Sequence, residues 1–320
     1  MAASTDSKIA VYAALAGNLL VACTKIAAAA WTGSSAMMSE AIHSVVDTAN
    51  ELVLLYGFHR ASRPPDRQHP LGHGRELYFW SFIVAVLLFA FGAGVSLYEG
   101  VLHLMEPRPI EDPTVNFIVL GLSFVFEAAS WWVAVRQFRR AAPGLSYVEA
   151  FRRSKDPPAF MVVFEDSAAL VGIVIAAAAT AAAVVFEQPA WDGIGSILIG
   201  LLLAATSMVL ARESKSLLIG EPADPELASS ILEIARTSEG VLAANGLLTV
   251  QLSPQQVVVA LSIEFSDHLR ADDIERTVVA IEAALRARHP VIAALFVKPQ
   301  TNVRYQDVRA RQLQGGPAPA

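Results

Sequence analysis

Six stretches of this chain are each long enough to cross a bilayer as a helix, and this pattern limits its fold more than any other feature. They lie at about 9–31, 34–60, 77–104, 115–138, 160–186 and 191–211. About 20 mostly apolar residues suffice for one crossing. Only 17% of the 320 residues are charged and 54% are hydrophobic, whereas soluble domains run near one quarter charged. The expected architecture is therefore a six-helix membrane domain over 1–219. The formal net charge of −6 gives no nucleic-acid signature. The single cysteine, Cys23, excludes an intrachain disulfide framework and a cysteine-built zinc site, and its apolar surroundings suggest packing. The opening MAASTDSK lacks a basic region and cleavage site, so no cleavable signal is expected.

The second stretch departs from lipid-soluble composition in an ordered way. Between Ser34 and Gly57 it carries Glu40, His43, Asp47, Asn50 and Glu51, spaced by threes and fours. At 3.6 residues per turn these share one face. A polar stripe on a spanning helix is costly, so it should face a bundle interior or a wet cavity. In the first stretch Asn18 and Lys25 are the polar intruders, and Lys25 is near enough to one end to snorkel. Gly92, Gly94 and Gly100 in the third allow close helix packing.

Basic residues set the expected orientation. Twelve lie in the 2–3 and 4–5 connections and after segment six, against Arg108 alone on the other side. That bias puts both termini in the cytoplasm. After Gly220 the composition changes. A Pro-bounded amphipathic helix, two strands around Ser253-Pro254, a helix over 271–289 and a strand over 291–298 give an α-β-β-α-β order. This is the pattern of a small α+β domain, expected over 220–304, with a disordered tail over 305–320.

Two clusters can carry metal chemistry. His43 and Asp47, one turn apart, form a divalent-metal half-site. Glu165 and Asp166 in segment five complement them and would be costly to bury unless paired, protonated or bound to a cation. Together they suit a first-row divalent ion; the alternative is a proton-sharing structural network. Asp66, His69 and His73 fall within eight residues of a Pro/Gly-rich turn, and two imidazoles with one carboxylate suit zinc. A metal-free exposed loop is the alternative there. Glu127 in segment four is a lone intramembrane acid, read with Glu40 as a proton or structural group. His59 and His103 sit at helix ends where solvated roles are expected, and His268 and His289 read as surface residues.

Taken together, SEAIHSVVDTANELVLLYG, DRQHPLGHG, FGAGVSLYEGV, VFEAAS and FEDSAALVGIVIA resemble the cation diffusion facilitator family, the solute carrier 30 zinc transporters, and most closely its zinc transporter 9 branch. The resemblance implies a homodimeric, proton-coupled exporter of divalent metal with a metallochaperone-like, ferredoxin-like cytoplasmic domain. It implies a transport site of His43, Asp47 and Asp166. Many relatives have a histidine four residues before that last aspartate, where this chain has Val162. Glu165 is the candidate substitute, although an ideal helix points it about 100° away from Asp166. Asp66, His69 and His73 match the family's cytoplasmic loop site. The family's metal site in the C-terminal domain does not carry over, since Lys298 and its neighbours lack ligands.

The expected function is a zinc/proton antiporter working by alternating access in a bacterial inner membrane or an organelle membrane. Zinc is its cargo and a possible regulatory ion, and no organic cofactor or nucleic acid is expected. His43 would be ligand and proton carrier, because unperturbed imidazole titrates near neutrality. The alternatives are a transporter with Mn, Fe or Co preference, an intramembrane metalloenzyme and a membrane scaffold. The chain has no HExxH-type pairing to support an enzyme.

Overall fold

The computed structural model describes residues 5–313, with side chains over 18–311. The apolar stretches form long helices: α1 (Thr5–Thr32), α2 (Ser35–Ala61), α3 (Glu76–Leu87), α4 (Gly94–Met105), α5 (Pro113–Ala141), α7 (Pro157–Val185) and α8 (Ala190–Ile219). A π-helical turn, Leu88–Ala93, joins α3 to α4 into one rod. Pro at the first turn starts α5 and α7, where a missing N–H costs nothing. The short α6 (Tyr147–Arg153) is capped by Ser146 and links α5 to α7. Among the described residues, four rods are long and apolar enough to cross a membrane: Glu76–Met105, Pro113–Ala141, Pro157–Val185 and Ala190–Ile219. The helices overrun the expected bounds, most of all at α8, which continues from 211 to Ile219.

The chain divides into two compact units. One holds the residues up to Arg63 together with Glu76–Lys215, and the other holds Pro64–Arg75 with the chain from Ser216 on. The 2–3 connection, read from the sequence as part of the membrane domain, is thus grouped with the C-terminal residues.

In the helical unit, α2 packs against α1, α3, α4 and α7, and α5 packs against both α1 and α7. The close approach of α4 and α8 depends on glycine. A Cβ at Gly100 would lie 2.8 Å from the Gly193 carbonyl and 2.6 Å from the Ile197 side chain. Asp192 at the start of α8 is fully buried and holds the N-terminus of α2. Its carboxylate accepts from Ser34 Oγ at 2.7 Å, Ser35 N at 2.5 Å and Ala36 N at 3.2 Å. Such a carboxylate satisfies N–H groups that the first helical turn leaves unpaired. His103 is buried with Nε2 3.9 Å from Asp192, not solvated at a helix end.

The other unit has α9 (Pro225–Arg236), β1 (Val241–Ser253), β2 (Gln256–Phe265), α10 (Ala271–Arg288), β3 (Ile292–Pro299) and α11 (Asn302–Leu313). The sheet order is β1-β2-β3, with β1 antiparallel and β3 parallel to β2. Alternate residues of β2, Val257, Val259, Leu261 and Ile263, turn inward with Ile231 and Ala235 of α9 and Ile281 and Leu285 of α10. That period of two places both helices on one core face. Helix α11 stands where a disordered tail is expected from 305. Tyr305 seats its ring against Gly246 of β1, where any Cβ would collide with it. Residues 314–320 of that expected tail lie outside the described residues.

Candidate cation site

The polar stripe of α2 turns into the helical unit as its spacing implies. Glu40, His43 and Asn50 are fully buried, and Asp47 is 21% exposed. The cost of burying Glu40 is met from α1. Lys25 Nζ donates to Glu40 Oε2 at 3.1 Å and to Ser44 Oγ at 2.8 Å, and both charged side chains are 0% exposed. Lys25 therefore does not snorkel. It shares the inward face of α1 with Ala22, Ala29 and Thr32, while Cys23 points outward and is exposed instead of packed. The heptad spacing of Asn18, Lys25 and Thr32 is the sequence signal that all three belong to one inner face.

Below this pair is a small cavity of ≈ 40 Å³ with a strongly acidic wall. A single water needs roughly 10–15 Å³ of such space, so the cavity accepts an ion or a few waters. Asp47 and Glu51 come from α2, Glu127 and Ser130 from α5, and Val162, Glu165 and Asp166 from α7. Asn50 Nδ2 donates to Glu165 Oε1 at 2.9 Å, Ser130 Oγ to Asp166 Oδ2 at 3.0 Å, and Asn18 Nδ2 to Glu51 Oε1 at 2.6 Å. Glu165 and Asp166 both line this cavity from a continuous α-helix, although an ideal projection sets them about 100° apart. Val162 also lines it, on the side where a ligand is missing.

His43 stands apart from the cavity wall. Its Nδ1 lies 3.3 Å from Asp47 Oδ1, too poorly aligned for a hydrogen bond, and both ring nitrogens are buried without a hydrogen-bond partner. Asp47 Oδ1, Asn50 Oδ1 and Glu40 Oε1 are unpaired as well. Orphaned polar atoms in such numbers are unusual in a protein interior, where most buried polar groups are paired. The four residues expected as ligands are near one another but not closed on a point. Among the described residues, the trio whose ligand atoms lie within 4.8 Å of one another is Asp66, His69 and His73. Ser130 is a cavity residue with no role expected from the sequence, which marks Glu51 only as part of the α2 stripe and Asn18 only as a polar intruder of the first stretch. Ser130 follows Glu127 by three, so the two share a face of α5.

The loop trio is built by its own backbone. Asp66 Oδ1 accepts from the backbone N–H groups of Gln68 at 2.8 Å and His69 at 2.7 Å. Asp66 Oδ2 is 3.1 Å from His73 Nε2, and the two imidazoles lie 4.3 Å apart between centroids, tilted by 42°. The His69 N–H, the His73 ring and the Gln68 N–H hold the Asp66 carboxyl down to about 2, against burial. It is therefore ionised and ready as a ligand at neutral pH. The donor set of one ionised carboxylate and two imidazoles fits zinc. Gly72 supplies the positive φ of 84° that turns the chain back toward His69.

Comparison with known proteins gives the family. The family model of the cation efflux transmembrane domain matches residues 11–219, which covers α1 to α8. The mitochondrial proton-coupled zinc antiporter SLC30A9 of Xenopus laevis is 33% identical over 75% of this chain and 44% of its own length. Its Homo sapiens counterpart is 34% identical over 73% of this chain and 42% of its own. Metal tolerance protein C4 of Arabidopsis thaliana is 34% identical over 82% of this chain and 58% of its own. The chain thus spans about half the length of these curated relatives, of which the two SLC30A9 proteins are named as zinc antiporters. It belongs to the cation efflux, or cation diffusion facilitator, family, on its zinc transporter 9 branch.

Proposed function

We propose that the chain is an integral membrane transporter that exchanges a divalent metal ion, zinc first, for protons by alternating access as a homodimer. The observation that carries this reading is the cavity on which Asp47, Glu51, Glu127, Glu165 and Asp166 converge inside an apolar helix bundle. Five carboxyl groups in so little space repel one another unless a cation or protons neutralise them. Metal and protons then compete for the same lone pairs, so exchange follows from the donor chemistry. In this reading Asp47 and Asp166 hold the ion electrostatically. His43 swings its unpaired ring to the metal and carries a proton in the other half-cycle. Glu165 substitutes for the ligand that Val162 cannot provide. The names of the zinc antiporter relatives support the coupling to protons.

The reading includes six crossings, with α1 and α2 joining the four most apolar rods. It includes cytoplasmic termini on the basic side, and a bacterial inner or organellar membrane. Asp66, His69 and His73 would hold a resident zinc. It binds more weakly than cargo, because Arg63, Arg67 and Arg75 flank it in sequence. A second selectivity has one observation in its favour. With Val162 in place of a nitrogen donor, the set is richer in oxygen, which suits Mn or Fe better than a two-histidine site would.

The test is metal flux into vesicles holding the purified protein, across Zn, Mn, Fe, Co and Cd, with and without a pH gradient. Asp47→Ala and Asp166→Ala should each reduce flux to background while the protein stays folded. Normal flux in folded Asp47→Ala protein overturns the site. Glu165→Gln keeps shape and removes charge, so ligation predicts a large loss of affinity by calorimetry. Unchanged affinity leaves Glu165 a structural partner of Asn50.

A further inference from the structure

A second cavity lies on the other side of the α5–α7 seam, and its chemistry is opposite to the first. It has a volume of ≈ 450 Å³, within the roughly 300–1,000 Å³ of ordinary ligand pockets. The walls are aromatic and aliphatic, from Phe138 on α5, Tyr147, Val148 and Phe151 on α6, and Phe160 and Phe164 on α7. Phe151 stands edge-on to Phe160 at 5.1 Å and lies 4.7 Å from Phe164, so these rings form a fixed floor.

The polar groups within it are already used. Trp131 Nε1 donates to Ser167 Oγ at 2.9 Å, and Ser167 Oγ donates to the Val163 carbonyl at 2.6 Å. A ligand with a polar body would find no partner inside, and burying unpaired polar groups costs free energy. The rim is different. The Arg139 guanidinium stacks over the Tyr147 ring at 5.0 Å and donates to its hydroxyl at 3.3 Å, while remaining exposed. Arg136, Arg140 and Arg152 are exposed on the same two helices. Between 136 and 156 six basic residues face two acidic ones.

An apolar hollow with a cationic edge fits an amphiphile with a hydrocarbon chain and an anionic head. We propose that the groove between α5, α6 and α7 binds an anionic phospholipid, its acyl chain on the phenylalanine floor and its phosphate at Arg139 and Arg152. In the orientation proposed above, on which this step rests, the basic 4–5 connection is where arginines meet lipid phosphates, and Tyr147 is the kind of ring that sits at that level. The groove also shares the helix seam of the cation cavity. Trp131–Ser167 and Ser130–Asp166 are successive rungs between α5 and α7, one residue apart on each helix. A chain lying in the groove braces the seam that holds Asp166.

The test is native mass spectrometry of the delipidated, full-length protein, titrated with phosphatidylglycerol or phosphatidylcholine of identical acyl chains. It is read without metal, so its result does not depend on what the cavity transports. The expected result is one tightly retained phosphatidylglycerol per chain. Arg139→Gln and Arg152→Gln should each lower the preference for phosphatidylglycerol about fivefold, the weight of one arginine at a membrane surface. Val148→Trp, at an exposed position of α6, should fill the hollow and abolish retention of either lipid. Equal retention of the two lipids by the parent overturns the proposal. So does unchanged retention in Val148→Trp, or a disulfide formed between two Val148→Cys chains, which would seat a second copy in the groove.

Discussion

At the scale of single residues, Lys25 is the side chain whose role changes most between sequence and structure. A lysine near the end of an apolar helix has two options, reaching the headgroups or finding a buried anion. It takes the second, because Glu40 is one helix away on the facing stripe and Ser44 lies one turn beyond. Removing one partner leaves a buried, uncompensated charge, a loss of about 3–5 kcal/mol. Lys25→Met should therefore lower the unfolding temperature in detergent sharply, and Lys25→Met with Glu40→Leu should recover most of it. A double variant as unstable as the single one would mean that the pair contributes through packing only. Val162 leads to a second expectation. It borders the acidic cavity and is 36% exposed, so histidine fits there. Val162→His should keep flux and shift competition between Zn and Mn toward Zn, as measured in mixed-metal uptake.

At the scale of elements, the loop of residues 64–75 shows how a short segment is fixed by what it packs against. A Cβ on Gly74 would stand 2.9 Å from Ser253 Cβ and 3.2 Å from the Leu252 carbonyl, at the turn between β1 and β2. Backbone cannot retreat cheaply from such contact. Gly74→Ala should release the loop, which limited trypsin digestion would detect as faster cleavage after Arg67 and Arg75. The loop also has a pH limit. The Asp66 carboxyl is held to about 2 against an ordinary 3.8. A depressed carboxylate contributes stability above its unfolded value and loses it as pH falls through the folded one. Loop order should therefore persist down to about pH 4 and decline between there and pH 2. Imidazole NMR shifts of His69 and His73 would report it, and order lost well above pH 4 would contradict the hydrogen bonding described. Helix α11 makes the same general point. Its composition is polar, and it is seated by the Tyr305 ring on Gly246 and by Asn302 N–H donating to Glu264 Oε2 at 2.9 Å.

At the scale of the whole molecule, the proposed metal chemistry is of two kinds, divided between the two compact units. The helical unit offers many oxygens around a small void, loosely arranged, as suits an ion that must leave. The loop trio is nearly closed before any ion arrives, as suits one that stays. The His69→Ala/His73→Ala double variant should therefore lose one bound metal per chain in elemental analysis and keep measurable transport. Equal stoichiometry in variant and parent would remove the loop as a metal site.

Much of this is legible in the sequence. The apolar runs dictate long helices because a backbone in lipid must satisfy its own hydrogen bonds. The spacing of Glu40, His43, Asp47 and Asn50 dictates an inward stripe, and the alternation in β2 dictates which face is core. These are local periodicities, and a sequence displays them directly. What only the tertiary structure decided is which helices face one another. That Lys25 answers Glu40, that Asp192 caps α2 from 157 residues away, and that Glu127, Ser130 and Asn18 join Asp47 and Asp166 around one void are contacts between distant segments. No period encodes them, because they depend on how rigid helices pack once each has buried its stripe.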